Sequence, residues 1–118
     1  MKIVGVKMHD RTGGENDFVV FDLEDVKSID MWRPTAYSGQ VPAYHTEDGS
    51  YLALNTLKDA KIAYRKFGFE SFDNTVLINM NKVTEFVPLK TGTKVMFDDG
   101  THAIVRKKIK KRRPSRGG

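Results

Sequence analysis

Cysteine is absent from this 118-residue sequence, tryptophan occurs once, and no apolar run is long enough to cross a bilayer. Without cysteine there is no disulfide framework and no thiolate chemistry, which suits a reducing compartment. No stretch resembles a cleavable signal. The length is sufficient for one domain with its own core. We therefore expect a single cytoplasmic domain that does not associate with membranes.

Signals of catalysis are equally scarce. The three histidines, His9, His45 and His102, lie on separate segments, and none has a serine or carboxylate beside it in a recognisable nucleophile pattern. No histidine pair has metal-ligand spacing. Gly13-Gly14 lacks the Lys-Ser/Thr that completes a phosphate-binding loop. The sequence thus predicts no enzyme, no metal site and no cofactor.

Charge is distributed unevenly along the chain. The segment from Arg106 to Gly118 holds eight basic residues and no acidic one, and the remainder has 12 basic against 15 acidic residues. Such a block is solvated and typically meets nucleic acid or an anionic membrane, but it lacks the apolar face of a membrane-surface helix. The alternative is a tail that only improves solubility.

One helix is indicated. Apolar residues recur every three to four positions from Leu57 to Phe67, Thr56 can cap the first turn, and Gly68 follows. This pattern predicts one principal helix over about residues 56–67.

The remaining sequence favours strands. Short apolar and alternating runs are separated by turn residues, and Asp48-Gly49 and Asp99-Gly100 predict two hairpins. Residues 33–42, with two prolines, form an expected long exposed loop, which is either functional or merely variable. We predict a mainly β domain of eight to ten short strands over residues 1–109, and a basic, disordered tail over residues 110–118.

The most informative stretch runs from Phe69 to Val83. Asp73-Asn74-Thr75 separates two apolar runs that predict strands, so it is expected to form a firmly held tip. By itself this triplet also fits an ordinary turn.

Residues 18–111 resemble the LytTR DNA-binding domain of bacterial response regulators. The most specific part is the stretch just described, in which Thr75, Leu77, Ile78, Asn79 and Val83 match the family's pattern of Ser/Thr, apolar residues, Asn and a further apolar residue. The opening residues 18–29, the segment 44–58 that leads into the helix, and the closing turn with residues 105–108 are also similar. No receiver domain accompanies the match.

The resemblance implies a fold of small antiparallel sheets and a bacterial transcriptional regulator that inserts loops into successive major grooves, as paired copies or a homodimer on direct repeats of double-stranded DNA. It implies Asn74 and Arg106 as base-reading residues. Asp73 stands where the family usually has a histidine, and Ser71 where it has an arginine. A carboxylate at position 73 repels phosphates, but it can also accept a hydrogen bond from cytosine N4 or orient a neighbouring group.

Chemistry assigns further roles. Arginine pairs with guanine O6 and N7, and asparagine with adenine N6 and N7; basic side chains bind phosphates without reading sequence. The expected phosphate or loop contacts are Arg33, Tyr37, Gln40, Asp73, Thr75, Lys107, Lys108, Lys110, Lys111, Arg112 and Arg113. The rival hypothesis is a protein-interaction module that pairs with a full-length LytTR regulator and inhibits it, favoured by Asp73 and the acidic body.

Overall fold

The computed structural model describes residues 1–33, 35, 39–53 and 55–109. In this part of the chain ten strands surround one α-helix, so the prediction of a mainly β fold is confirmed. The strands are β1 (Lys2–Lys7), β2 (Phe18–Asp22), β3 (Val26–Trp32), β4 (Val41–Thr46), β5 (Gly49–Leu52), β6 (Phe69–Asp73), β7 (Val76–Asn79), β8 (Val83–Pro88), β9 (Thr93–Phe97) and β10 (His102–Val105).

Helix α1 (Leu57–Ala63) begins where its cap was predicted. The Thr56 hydroxyl accepts a hydrogen bond from the Asp59 N–H at 3.0 Å, which satisfies one of the free donors of the first turn. A 3-10 turn (Arg65–Phe67) extends the helix, and Gly68 ends it in the left-handed region at φ 98°. The predicted bounds of 56–67 therefore cover the helix together with this extra turn.

The helix is fastened to the sheet by a buried hydroxyl network. Tyr44 Oη on β4 donates to Asn55 Oδ1 at 2.7 Å and lies 3.1 Å from the Tyr64 hydroxyl at the end of the helix. Tyr44 is fully buried. Burial raises the pKa of the Tyr44 phenol well above its ordinary value, so the hydroxyl stays protonated and can donate.

Seven strands form one antiparallel sheet in the order β2-β1-β5-β4-β3-β7-β6, and the other three form a second sheet in the order β10-β9-β8. Both predicted Asp-Gly hairpins are present, as β4–β5 and β9–β10. A register shift in β3 between Val26 and Ser28 explains why Val26 and Ile29, three residues apart, both point into the core.

Two apolar cores lie on opposite faces of β7. Leu77 packs into the first core with Ile29 and Tyr44, whereas Val76 and Ile78 pack into the second core beneath the three-stranded sheet. Every residue of β7 is buried. The continuous apolar run of the sequence is therefore the strand that both cores share.

The expected bounds of one loop need revision. The loop after β3 ends at residue 40 rather than 42, because Val41 and Pro42 pair with Trp32 and Met31 as part of β4. Proline is tolerated there since β5 has already ended opposite Ala43.

The basic tail at 110–118 lies outside the described residues. No helix among those described is long and apolar enough to span a membrane.

Candidate nucleic-acid interface

The tip, Asp73-Asn74-Thr75, connects β6 and β7 as predicted. The Asp73 Oδ1 atom accepts hydrogen bonds from the Thr75 N–H at 2.7 Å and the Thr75 hydroxyl at 2.6 Å, which closes the turn over its own backbone. The Ser71 hydroxyl donates to the Asp73 carbonyl at 2.7 Å, beside a register shift between these two residues. Asn74, held between these contacts, is exposed.

The basic strand end, Arg106-Lys107-Lys108, continues from β10 and is fully exposed. Its backbone is anchored by the buried Thr93, whose hydroxyl donates to the Lys107 carbonyl at 2.9 Å and accepts from the Ile109 N–H at 3.0 Å. The Ile109 side chain packs against the second core. Three cationic side chains thus project from a fixed piece of backbone.

A hydrogen bond joins the tip to the basic strand end. The backbone N–H of Arg106 donates to Asp73 Oδ2 at 3.0 Å, although the two residues are 33 positions apart. Burial raises the pKa of the Asp73 carboxyl, but the hydrogen bonds from Thr75 and from the Arg106 backbone outweigh it and hold the pKa below its ordinary value. The carboxylate is therefore ionised at neutral pH and engaged inside the protein.

One residue each from the tip, the loop and the basic strand end lines a groove between the two sheets, whereas Asn74 lies beside the helix, with Leu57 and Lys58. The groove has a volume of about 730 Å³, and three of the predicted contact residues, Gln40, Thr75 and Arg106, line it. Gln40 precedes β4, Thr75 precedes β7, and Arg106 follows β10. Three segments that are remote in the sequence therefore share one surface.

The floor of the groove contains a series of side-chain hydrogen bonds that the sequence did not predict. His45 Nε2 lies 2.8 Å from Asp30 Oδ1, and its Nδ1 lies 2.6 Å from Ser50 Oγ. The histidine does have a serine and a carboxylate as neighbours, contrary to expectation, because Ser50 lies directly opposite His45 across β4 and β5. No signal within a single segment could have shown this pairing.

The backbone N–H groups just before Ser50 are already engaged in hydrogen bonds. Stabilising an acyl-transfer intermediate needs two free N–H groups aimed at one oxygen beside the nucleophile. The N–H groups of Asp48 and Gly49, which precede Ser50, both donate to Thr46 Oγ1 at 3.1 Å. Among the described residues, the floor is a set of mutually satisfied polar groups.

The other end of the groove is closed by an ion pair between the sheets. Lys27 Nζ on β3 lies 2.7 Å from Asp99 Oδ2 and 2.9 Å from Thr101 Oγ1 in the β9–β10 turn. Hydrogen bonds from Lys27 and Thr101 lower the pKa of Asp99 to about 2. The two sheets are therefore cross-linked at both ends of the groove, by Lys27 and Asp99 at one end and by Asp73 and Arg106 at the other.

An exposed row of side chains borders the groove on the β10 side. His102, Ile104 and Arg106 alternate along the strand, and Ile104 is 52% exposed. Sequence reasoning passed over Ile104, since an isoleucine in a strand ordinarily belongs to the core.

The remaining predicted residues separate into three groups. Arg33 follows β3 and is exposed, but it is not among the described residues that line the groove. Tyr37 and the four tail residues lie outside the described part of the chain; these are Lys110, Lys111, Arg112 and Arg113. Asn79, matched in the family pattern, is buried, and its amide donates to the Val26 carbonyl at 2.8 Å, so its role is structural.

Fold and site together define a β-scaffold binding domain with polar and basic segments gathered along one groove. A family model described as the LytTr DNA-binding domain matches residues 17–112, and the chain belongs to this family. A solved LytTr DNA-binding domain from Bacillus cereus aligns with a TM-score of 0.68 at 13% identity, covering 90% of this chain and 87% of that chain, and shares the fold. No curated protein matches the sequence. The family's function is DNA binding, and it is not a family of enzymes.

Proposed function

We propose that this protein is a bacterial transcriptional regulator that binds double-stranded DNA sequence-specifically and contacts successive major grooves through its loops, with the tip and the basic strand end together in one groove. The observation that carries this proposal is the hydrogen bond from the Arg106 N–H to Asp73, which joins two candidate DNA-contacting segments in a family of DNA-binding domains. Base reading requires contact segments that are held relative to one another, and this hydrogen bond links the backbones that carry Asn74 and Arg106.

The proposed base contacts follow from side-chain chemistry. Arg106 donates to guanine O6 and N7, Asn74 pairs with adenine N6 and N7, and each contact discriminates by about 1–3 kcal/mol. Ile104, exposed two residues before Arg106 on the same row, meets a thymine methyl group.

Phosphate contacts surround these base contacts. Cations beyond Arg106 neutralise the backbone without reading sequence. These contacts are made by Lys107, Lys108, Lys110, Lys111, Arg112 and Arg113, together with Arg33, Tyr37, Gln40 and Thr75. Asp73 stabilises the tip instead of touching DNA.

Selection of bound sequences from random duplexes tests the proposal. Recovery of a direct repeat, with two chains bound per duplex, supports specific binding by paired copies or a homodimer. A pool that stays random contradicts it.

Two variants then test the base contacts. Asn74→Ala and Arg106→Ala are each expected to lower the ratio of specific to random binding about 5- to 150-fold, at different base pairs. Arg65→Ala is the matched control, because Arg65 is exposed on the 3-10 turn at the opposite end of β6 from the tip. Unchanged ratios for both variants would refute the assigned roles.

The tail requires a separate test. Removing residues 110–118 deletes five cations. If all five contact phosphates, the slope of log K against log salt falls by about 4.5. Affinity for specific and random duplexes then falls alike. An unchanged slope identifies the tail as a solubilising segment.

A second candidate is the protein-interaction module. It is favoured by an exposed apolar patch on the β1–β2 hairpin, where Val4 lies opposite Val20 and both are 63% exposed, with Phe18 beside them. Asp73 had favoured this candidate because a carboxylate repels phosphates. Its carboxylate is engaged in hydrogen bonds within the protein, so that reason no longer applies. Failure to bind any DNA at low salt, combined with capture of a full-length LytTR regulator, would favour it over the regulator.

A further inference from the structure

The Asp73 carboxylate has partners on two segments of the chain, as the Asp99 carboxylate does with Thr101 and Lys27, but its partner on the other sheet is a backbone N–H. One oxygen accepts two hydrogen bonds from Thr75 within the tip, and the other accepts the backbone N–H of Arg106 on the second sheet. A carboxylate is an acceptor with two oxygens, so it can serve two donors on separate segments at once. Neither asparagine nor histidine provides acceptors in both directions.

Local structure aims this carboxylate. The register shift between Ser71 and Asp73 displaces the end of β6, and the Ser71 hydroxyl holds the Asp73 carbonyl at 2.7 Å. Arg106, for its part, lies between the end of β10 and the Thr93 anchor. Other hydrogen bonds therefore hold the backbone on both sides of the contact, at Asp73 and just after Arg106.

We propose that Asp73 is a positioning residue that sets the distance between Asn74 and Arg106 and so couples base reading at two separate positions. This inference rests on the proposed function. Asn74 directly follows Asp73, and the contact to Arg106 is made through its main chain, leaving the guanidinium free to reach DNA. Changing Asp73 should therefore affect both readers, although its own side chain touches neither base.

The decisive variant is Asp73→Asn. Its amide presents one acceptor and one donor, so either the Thr75 bonds or the Arg106 bond must be lost, because an NH₂ group facing an N–H cannot accept. Discrimination is expected to fall roughly tenfold at both the Asn74 position and the Arg106 position, as expected for loss of a hydrogen bond to a charged group. Affinity for random duplexes should stay constant or rise, since a negative charge is removed near phosphates.

A loss of discrimination without a loss of affinity for random duplexes distinguishes positioning from simple destabilisation. Destabilisation would lower the affinity for specific and random duplexes alike. Glu47→Gln is the matched control. It also removes one negative charge, but Glu47 is exposed in the β4–β5 turn. A readout without DNA is amide exchange of Thr75 and Arg106, at least one of which should accelerate in Asp73→Asn and neither in Glu47→Gln.

Several outcomes would overturn the inference. Loss of discrimination at only one of the two positions, an equal fall of specific and random affinity, or unchanged exchange of both the Thr75 and the Arg106 amides each contradicts it. If the unmodified protein itself fails to distinguish selected from random duplexes, the proposed function fails, and the inference fails with it. If only the Asp73→Asn result deviates, the proposed function stands without this coupling.

Discussion

Replacing Thr93 by valine tests how the basic strand end is held. The Thr93 hydroxyl makes two hydrogen bonds to the backbone of residues 107 and 109, at 2.9 and 3.0 Å, and Thr93 itself is 1% exposed. Valine fills nearly the same volume but makes neither bond. Each such bond contributes about 0.5–1.5 kcal/mol net, so the free energy that holds Lys107 to Ile109 against the sheet should fall by about 1–3 kcal/mol.

The consequence is local and measurable. The opening constant of this segment should rise about 5- to 150-fold, and amide exchange of Ile109 should accelerate by the same factor while the rest of the second core exchanges as before. DNA affinity should fall because the cations are less well ordered. Thr84→Val is the control, since the Thr84 hydroxyl is exposed and makes one long contact of 3.3 Å to the Met96 carbonyl. Unchanged exchange at Ile109, or equal acceleration at every amide, would refute this account.

Three further substitutions test the scaffold. Lys27→Met should lower the free energy of unfolding at neutral pH by about 1 kcal/mol after allowance for solvent screening. Because folding lowers the pKa of Asp99 from 3.8 to about 2, this contribution is complete above pH 3.8 and vanishes as the pH falls through 2, which denaturant titrations across that range can follow. Gly92→Ala places a methyl group 2.3 Å from the Val105 carbonyl oxygen and should cost about 1–3 kcal/mol in thermal unfolding. Tyr44→Phe leaves buried partners unsatisfied and should cost about 1–3 kcal/mol in urea unfolding.

Features set by local chemistry were predictable from the sequence. Thr56 caps the helix because its hydroxyl reaches an N–H three residues later, and Gly68 ends it because a left-handed residue is required there. The Asp-Gly hairpins and the tip between β6 and β7 follow in the same way from turn chemistry. In each case the interacting residues are only a few positions apart.

Contacts between distant segments were not predictable. Lys27 and Asp99 are 72 positions apart, and Asp73 and Arg106 are 33 apart. Their meeting depends on the order of strands in the two sheets, which alternation of apolar and polar residues does not encode. The family resemblance named Asn74 as a base-reading residue and Asn79 only as part of the pattern, but it did not show that Asn79 is buried while Asn74 is exposed.

The contact between Asp73 and residue 106 uses the main-chain N–H of that residue. Every amino acid except proline carries this donor. The side chain at position 106 can therefore be exchanged, by natural variation or by design, without breaking the link between the two sheets. If Arg106 reads guanine as proposed, Gln there should shift the preference toward adenine, and Lys should keep it, while the fold remains intact; only Pro should damage both.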